Sequence, residues 1–161
     1  MHIYTERILG LIGERDPLDS MARTPGRLAD LYARIGEKGI EQSYDAGKWT
    51  ARKIFAHLAD AELAIGFRIR QVLAGERQIQ VFDQDIWASR YDSADTWLAV
   101  EAETALRQWN LGLFRSLGPP ELRRAALHPE RGEETVGLMI RLMAGHDLNH
   151  LGQLEKIAKA G

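Results

Sequence analysis

At 161 residues, 45% of them hydrophobic and 27% charged, the chain has enough apolar material for one domain with its own core. Its net charge of −2, with Lys and Arg scattered, argues against a nucleic-acid face, and it has no apolar run of the eighteen or more residues that a membrane span needs. The absence of cysteine excludes disulfides, thiolate metal ligands and a cysteine nucleophile, so any metal must be held by imidazole and carboxylate.

The N-terminal stretch MHIYTERILGLIGERD carries charges within its short apolar run and does not read as a signal peptide, so a cytoplasmic protein is expected. Ile3 to Ile12 has the periodicity of a short helix. Pro17 opens a second helical stretch. Within it, Thr24-Pro25 resembles a fresh start, a cap followed by proline at the first helical position. Leu28, Leu31, Tyr32 and Ile35 recur at helical spacing and Gly36 stops the run. Thr50 caps the next helix, with Trp49 and Ile54 at the hydrophobic-staple positions and Gly75 as the stop after Ala74. Its stripe is Ile54, Leu58, Ala61, Ile65, Ile69 and Val72. Arg77 to Asp92 is the longest connection, and such loops are often functional.

Ser93 is the expected cap of a third long helix that ends near Leu117, ahead of Gly118-Pro119-Pro120, with a stripe of Leu98, Ala102, Ala105, Trp109 and Leu113. The last helix is expected from about Thr135 to Lys159. Nothing reads as a strand. Four long helices with modest connections predict an all-α, antiparallel four-helix bundle with an extra short N-terminal helix, one domain over residues 1–161.

Histidine supplies the candidate chemistry. His146 and His150, in HDLNH, are about 40° apart around a helix and share its core-facing stripe. Two adjacent buried imidazoles share a metal ion or make separate hydrogen bonds, and spacing alone leaves both open. His57, at the border of its own stripe, faces Ala61 and Ala64, which leave room for a cavity. A third imidazole from there would give an open three-ligand site of the kind catalytic metals use. Asp60, one turn on, is a candidate to orient a ring or act as a base; Glu101 is a more distant one. A solvated helix face is the plainer reading of Asp60, and the favoured one for Glu62.

His128 reads as an exposed loop histidine and His2 as incidental. Asp83 and Asp85, in the long loop, are candidate pocket groups, although Asx turns explain them equally well. The four tryptophans, and Met139 and Met143, read as packing.

Three segments, GKWTARKIFAHLADAELAIGFRIRQVLAGE, FDQDIWA and LHPERGEETVGLMIRLMAGHDLNHLGQLEKI, run in order from Gly47 to Ile157. Together they resemble the DinB-like superfamily, including its YfiT-type branch. The resemblance implies a four-helix bundle with a divalent metal on His57, His146 and His150, the metal being zinc, nickel, manganese or iron. It implies homodimers, and either hydrolysis or transfer and isomerisation with a low-molecular-weight thiol. It also raises His128, in the HPERG segment, to a pocket residue.

Three functional readings follow. The first is a metal-dependent hydrolase or thiol S-transferase acting on an unidentified small molecule. The second is a non-catalytic bundle with a structural or vestigial metal site. The third is an association surface: Ile140, Leu148 and Leu151 point away from His146, which predicts a homodimer through the last helix. No nucleic-acid or membrane partner is expected.

Overall fold

A computed structural model describes residues 2–160. The chain runs α1 (Ile3–Ile12), α2 (Pro17–Gly39), α3 (Ala51–Ala74), α4 (Gln84–Ala88), α5 (Thr96–Ser116), α6 (Pro119–Leu122), β1 (Ala125–His128), β2 (Gly132–Thr135) and α7 (Val136–Ala160). The long helices α2, α3, α5 and α7 make a four-helix bundle. α2 lies against α7 and α5, α3 lies against α5 and α7, and α1 packs on α7. That last contact is close because α7 offers Gly145, where a Cβ would run into the Ile8 carbonyl oxygen.

Local chemistry sets the boundaries. Thr50 Oγ1 accepts from the Lys53 N–H, and Gly75 ends α3 in the left-handed conformation. Thr135 Oγ1 accepts from the Leu138 N–H at the start of α7. Asp95, rather than Ser93, caps α5, its carboxylate accepting from the Leu98 N–H. Thr24-Pro25 opens no new helix. Pro25 lies inside α2, and the Thr24 hydroxyl is spent on Asp147 of α7 at 3.0 Å. Gly36 does break the α2 geometry, with φ 60°. Residues 125–135 form an antiparallel hairpin rather than a plain loop, with Gly132 at φ 85° after the turn. Strands this short carry too little alternation to be read from sequence.

Two apolar clusters fill the bundle. One gathers Met21, Ile69, Val72, Phe114, Met139 and Met143; the other gathers Leu28, Leu31, Ile54, Leu58, Val100 and Leu154. Between them, all four long helices bury polar side chains: Thr24 on α2, Glu62 on α3, Glu103, Arg107 and Asn110 on α5, and Asp147 on α7. Arg107 joins the helices. Its Nη2 donates to Glu62 at 2.6 Å, and its Nη1 donates to Asp147 at 2.6 Å and to the Met21 carbonyl at 3.0 Å. Asn110 Nδ2 donates to Glu62 at 2.8 Å.

This polar layer corrects two expectations. Glu62 is not on a solvated face but fully buried. The buried face of α5 is also not the apolar stripe, since Leu98 is 60% exposed and Trp109 73%. Hydrophobic periodicity points the apolar side of a helix inward, whereas α5 turns its ionic side in. On α7, Ile140 and Leu151 are buried within the chain and Leu148 packs against its core. The face that suggested a subunit interface is therefore covered by the chain itself. The large exposed apolar side chains include Leu63 and Phe67 on α3 and Leu98 and Trp109 on α5.

Candidate metal centre

His57 lies two turns into α3, while His146 and His150 lie mid-way along α7, beside the polar layer. The rings converge, with centroids 4.5 to 5.0 Å apart. One nitrogen from each lies within 4.8 Å of the others. The Nε2 atoms of His57 and His146 stand 2.9 Å apart. Trp49 walls the group, edge-on to His57 and stacked 6.3 Å from His150.

The donor set fits a divalent cation. Two imidazole nitrogens bound at about 2.0–2.1 Å and about 90–110° apart stand about 2.9–3.4 Å from each other, which matches the His57–His146 spacing. Burial pushes the His57 pKa down to about 3, with the His150 charge adding to the effect. Burial also holds His146 well below the ordinary value and His150 at about 4. All three are therefore neutral at pH 7, the form in which imidazole binds a metal. Gln153 fixes the third ring. Its Oε1 can only accept, so His150 Nδ1, 2.8 Å away, donates and Nε2 keeps a free lone pair. Gln153 is itself held by the Tyr44 hydroxyl at 3.3 Å. Such outer contacts are worth 10–100-fold in metal affinity. Gln153→Leu is expected to weaken zinc binding by about that factor without unfolding the protein, read by competition with a chelating dye.

Two chambers open on the histidines. The larger, about 560 Å³, is lined by His57 and His146, by Ala61, Ile65 and Met139, and by a polar wall containing Tyr4, Arg68, His128 and Arg131. The smaller, about 350 Å³, is lined by His146 and His150 with Arg7, Lys48, Trp49 and Asn149. His146 belongs to both.

The other sequence candidates fall into place around them. His128 is not an exposed loop histidine. It is buried at the end of β1, where Nδ1 accepts from the Glu130 and Arg131 N–H groups at 3.2 Å, and it lines the larger chamber. Asp83 lines that chamber too, but its carboxylate caps α4, accepting from the Asp85 and Ile86 N–H groups. Asp85 lines the smaller chamber from the first turn of α4. His2 caps α1 and touches the rim of the larger chamber.

Asp60 is a correction. Its carboxylate is taken by the Tyr91 hydroxyl at 2.5 Å, bonds no histidine and lines neither chamber. Glu101 is exposed and lines neither chamber. Sequence reasoning missed Gln153, Arg68 and Arg131. The signal for Arg68 was present, because it falls eleven residues after His57 and so about 20° from it around α3.

The buried acids and bases give the metal-free fold a pH optimum. The folded pKa values of His57 and His150 lie below 6.5, so the unfolded chain binds protons first. Their contribution is present above about 6.5 and is lost as pH falls towards 4 and 3. Burial raises Glu103 to about 8, against the pull of Arg107, so its contribution is present below 4.5 and is lost as pH rises through 8. Urea midpoints of metal-free protein are expected to peak between these limbs, and Glu103→Gln is expected to flatten the alkaline one.

The family model of the DinB superfamily matches residues 20–154. The chain belongs to the DinB superfamily. Two relatives carry names that begin "Putative metal-dependent hydrolase". One, from Oceanobacillus iheyensis, is 28% identical over 137 residues, 84% of this chain and 80% of its own. The other, from Bacillus mycoides, is 26% identical over 137 residues, 83% and 78%. Among solved structures the fold is similar to that of YfiT from Bacillus subtilis, with a TM-score of 0.84 and 21% identity over 89% of this chain and 85% of that one. YfiT is described as "a probable metal-dependent hydrolase with an unusual four-helix bundle topology".

Proposed function

We propose that His57, His146 and His150 hold a divalent metal ion and that the protein is a metal-dependent hydrolase of a small molecule. The observation that carries this is the convergence of three neutral imidazole nitrogens where two chambers meet. The all-imidazole donor set suits zinc, nickel and iron better than manganese. When bound, such an ion supplies Lewis acidity towards water, a thiol or a carbonyl. The chain's own residues do the rest. Gln153 holds His150 in one tautomer, Trp49 shields the rings, and the apolar floor of Ala61, Ile65 and Met139 keeps a substrate body out of water. The names of the relatives, shared over most of the chain, favour the same reading.

A second reading rests on the two chambers. Two separate approaches to one centre suit a transferase that brings a low-molecular-weight thiol from one side and an electrophile from the other. The test is metal analysis of the purified protein, followed by turnover of an ester and amide panel with and without added thiol. About one ion per chain and thiol-independent turnover is expected. Turnover that requires the thiol selects the transferase. Protein that carries no metal and takes up none on titration sinks both.

A further inference from the structure

The far wall of the larger chamber is rich in hydrogen-bond donors without acceptors to match. Arg68 makes no ion pair among the described residues. Among the described residues a single one of its five N–H donors, on Nη2, reaches an acceptor, the Gln80 carbonyl at 3.1 Å, and its Nε is buried without a partner there. His128 has its Nδ1 lone pair filled by two backbone N–H groups. Its neutral ring therefore carries the proton on Nε2, which bonds no acceptor among the described residues. The Tyr4 hydroxyl on the same wall also makes no hydrogen bond among the described residues. The buried carboxylate there, Glu134, is taken by Arg131 through two contacts at 2.6 and 3.2 Å. The remaining acids, Asp83 and Glu130, are exposed, and Asp83 is occupied with the α4 cap. Between this wall and the histidines lie the apolar side chains of Ala61, Ile65 and Met139.

We propose that the larger chamber takes a small amphiphilic oxyanion, a carboxylate or phosphate on an apolar body. Its anionic end sits on Arg68 and His128 and its other end at the three histidines. The anion site stands on the donors alone; the reacting end rests on the metal-dependent reading above. A guanidinium with no ion pair of its own, the nearby Glu134 being taken by Arg131, gains most from a charged acceptor in a partly desolvated wall. It discriminates against a neutral ligand of the same shape, which would leave the donors unpaired.

The test is titration of the full chain, with and without zinc, with benzoate, phenyl phosphate and neutral benzyl alcohol, followed by heteronuclear NMR. At least one anion is expected to bind at least about 10-fold tighter than benzyl alcohol in both states, the better one naming the headgroup. Arg68→Gln is expected to remove about 10-fold or more of the anion affinity and to leave benzyl alcohol unchanged, with Arg68→Lys in between. His128→Asn keeps a side-chain oxygen for the turn and removes the Nε2 donor. It is expected to cost about 3–10-fold and serves if Arg68→Gln fails to fold. Equal binding of anions and alcohol overturns the proposal, as does wild-type anion affinity in a folded Arg68 variant. Anion binding that needs zinc and ignores Arg68 also overturns it, while leaving the metal reading standing. Zinc-independent anion binding that falls with Arg68, in a protein that takes up no metal, supports this site and sinks the metal reading instead.

Discussion

Arg107→Ala is expected to cost about 3–5 kcal/mol of folding stability, the range for breaking a buried ionic network by removing one partner. A domain of this kind has about 5–15 kcal/mol in total, so the variant should sit near the edge of folding at neutral pH. The guanidinium is 1% exposed and sits among Glu62, Glu103 and Asp147, so its removal leaves three carboxylates in the bundle interior with no cation. Burial then favours the protonated form of Glu62 and Glu103 with no cation to oppose it, which sets the sign of the pH effect. Burial already raises Glu62 and Glu103 against the pull of Arg107, and without that pull both rise further, so stability is greatest at low pH and is lost as pH rises. Urea denaturation should therefore find Arg107→Ala partly rescued near pH 5 and worst near pH 8. Arg107→Met combined with Glu62→Gln, Glu103→Gln and Asp147→Asn should recover much of the loss, because no charge is then left unpaired. A loss below about 1 kcal/mol at pH 7, the size of a surface ion pair, would show that the layer does not behave as a buried network.

This network also bears on the metal centre. Glu62 is five residues from His57 on α3, and Asp147 follows His146 on α7. Arg107 clamps both. Fixing those two positions sets the rotation of α3 and α7, and with it the direction in which the three rings point. The polar layer thus orients the ligands without touching them.

Much of the architecture was legible because capping chemistry is local. Thr50, Gly75 and Thr135 mark their helix ends through bonds made within a few residues, so the sequence shows both partners. The His146–His150 pair was legible for the same reason, four residues being one turn. What failed depends on distant partners. Glu62 looks like any solvated acid until Arg107, forty-five residues on, is brought against it. Asp60 sits one turn from His57, yet Tyr91 captures it from the long connection. Glu103, Arg107 and Asn110 do recur at helical spacing, and that polar stripe was readable as a face. What decided that it points inward was the set of complementary charges on α3 and α7, which periodicity does not weigh.

His146→Ala is expected to abolish the response of the protein to metal. Its ring faces both chambers and stands 2.9 Å from His57, and among the described residues the group able to hold a metal there is His57, His146 and His150, which the variant cuts to two. A ligand that binds only the folded state stabilises it by about 2.7 kcal/mol at 100 times its dissociation constant. Wild-type protein with zinc at that excess should melt several degrees higher than the chelated protein. In the variant the shift should vanish, because loss of a direct ligand exceeds the 10–100-fold that an outer contact is worth. The metal-free comparison isolates the cause. Without an ion, the His57–His146 contact is at best one hydrogen bond, with one ring donating and the other accepting, so its loss costs about 1 kcal/mol. The chelated variant should consequently lie close to chelated wild type, the difference between them opening when zinc is added. Equal zinc-induced shifts in the two proteins would place the ion elsewhere and leave the three histidines as a buried hydrogen-bonded cluster.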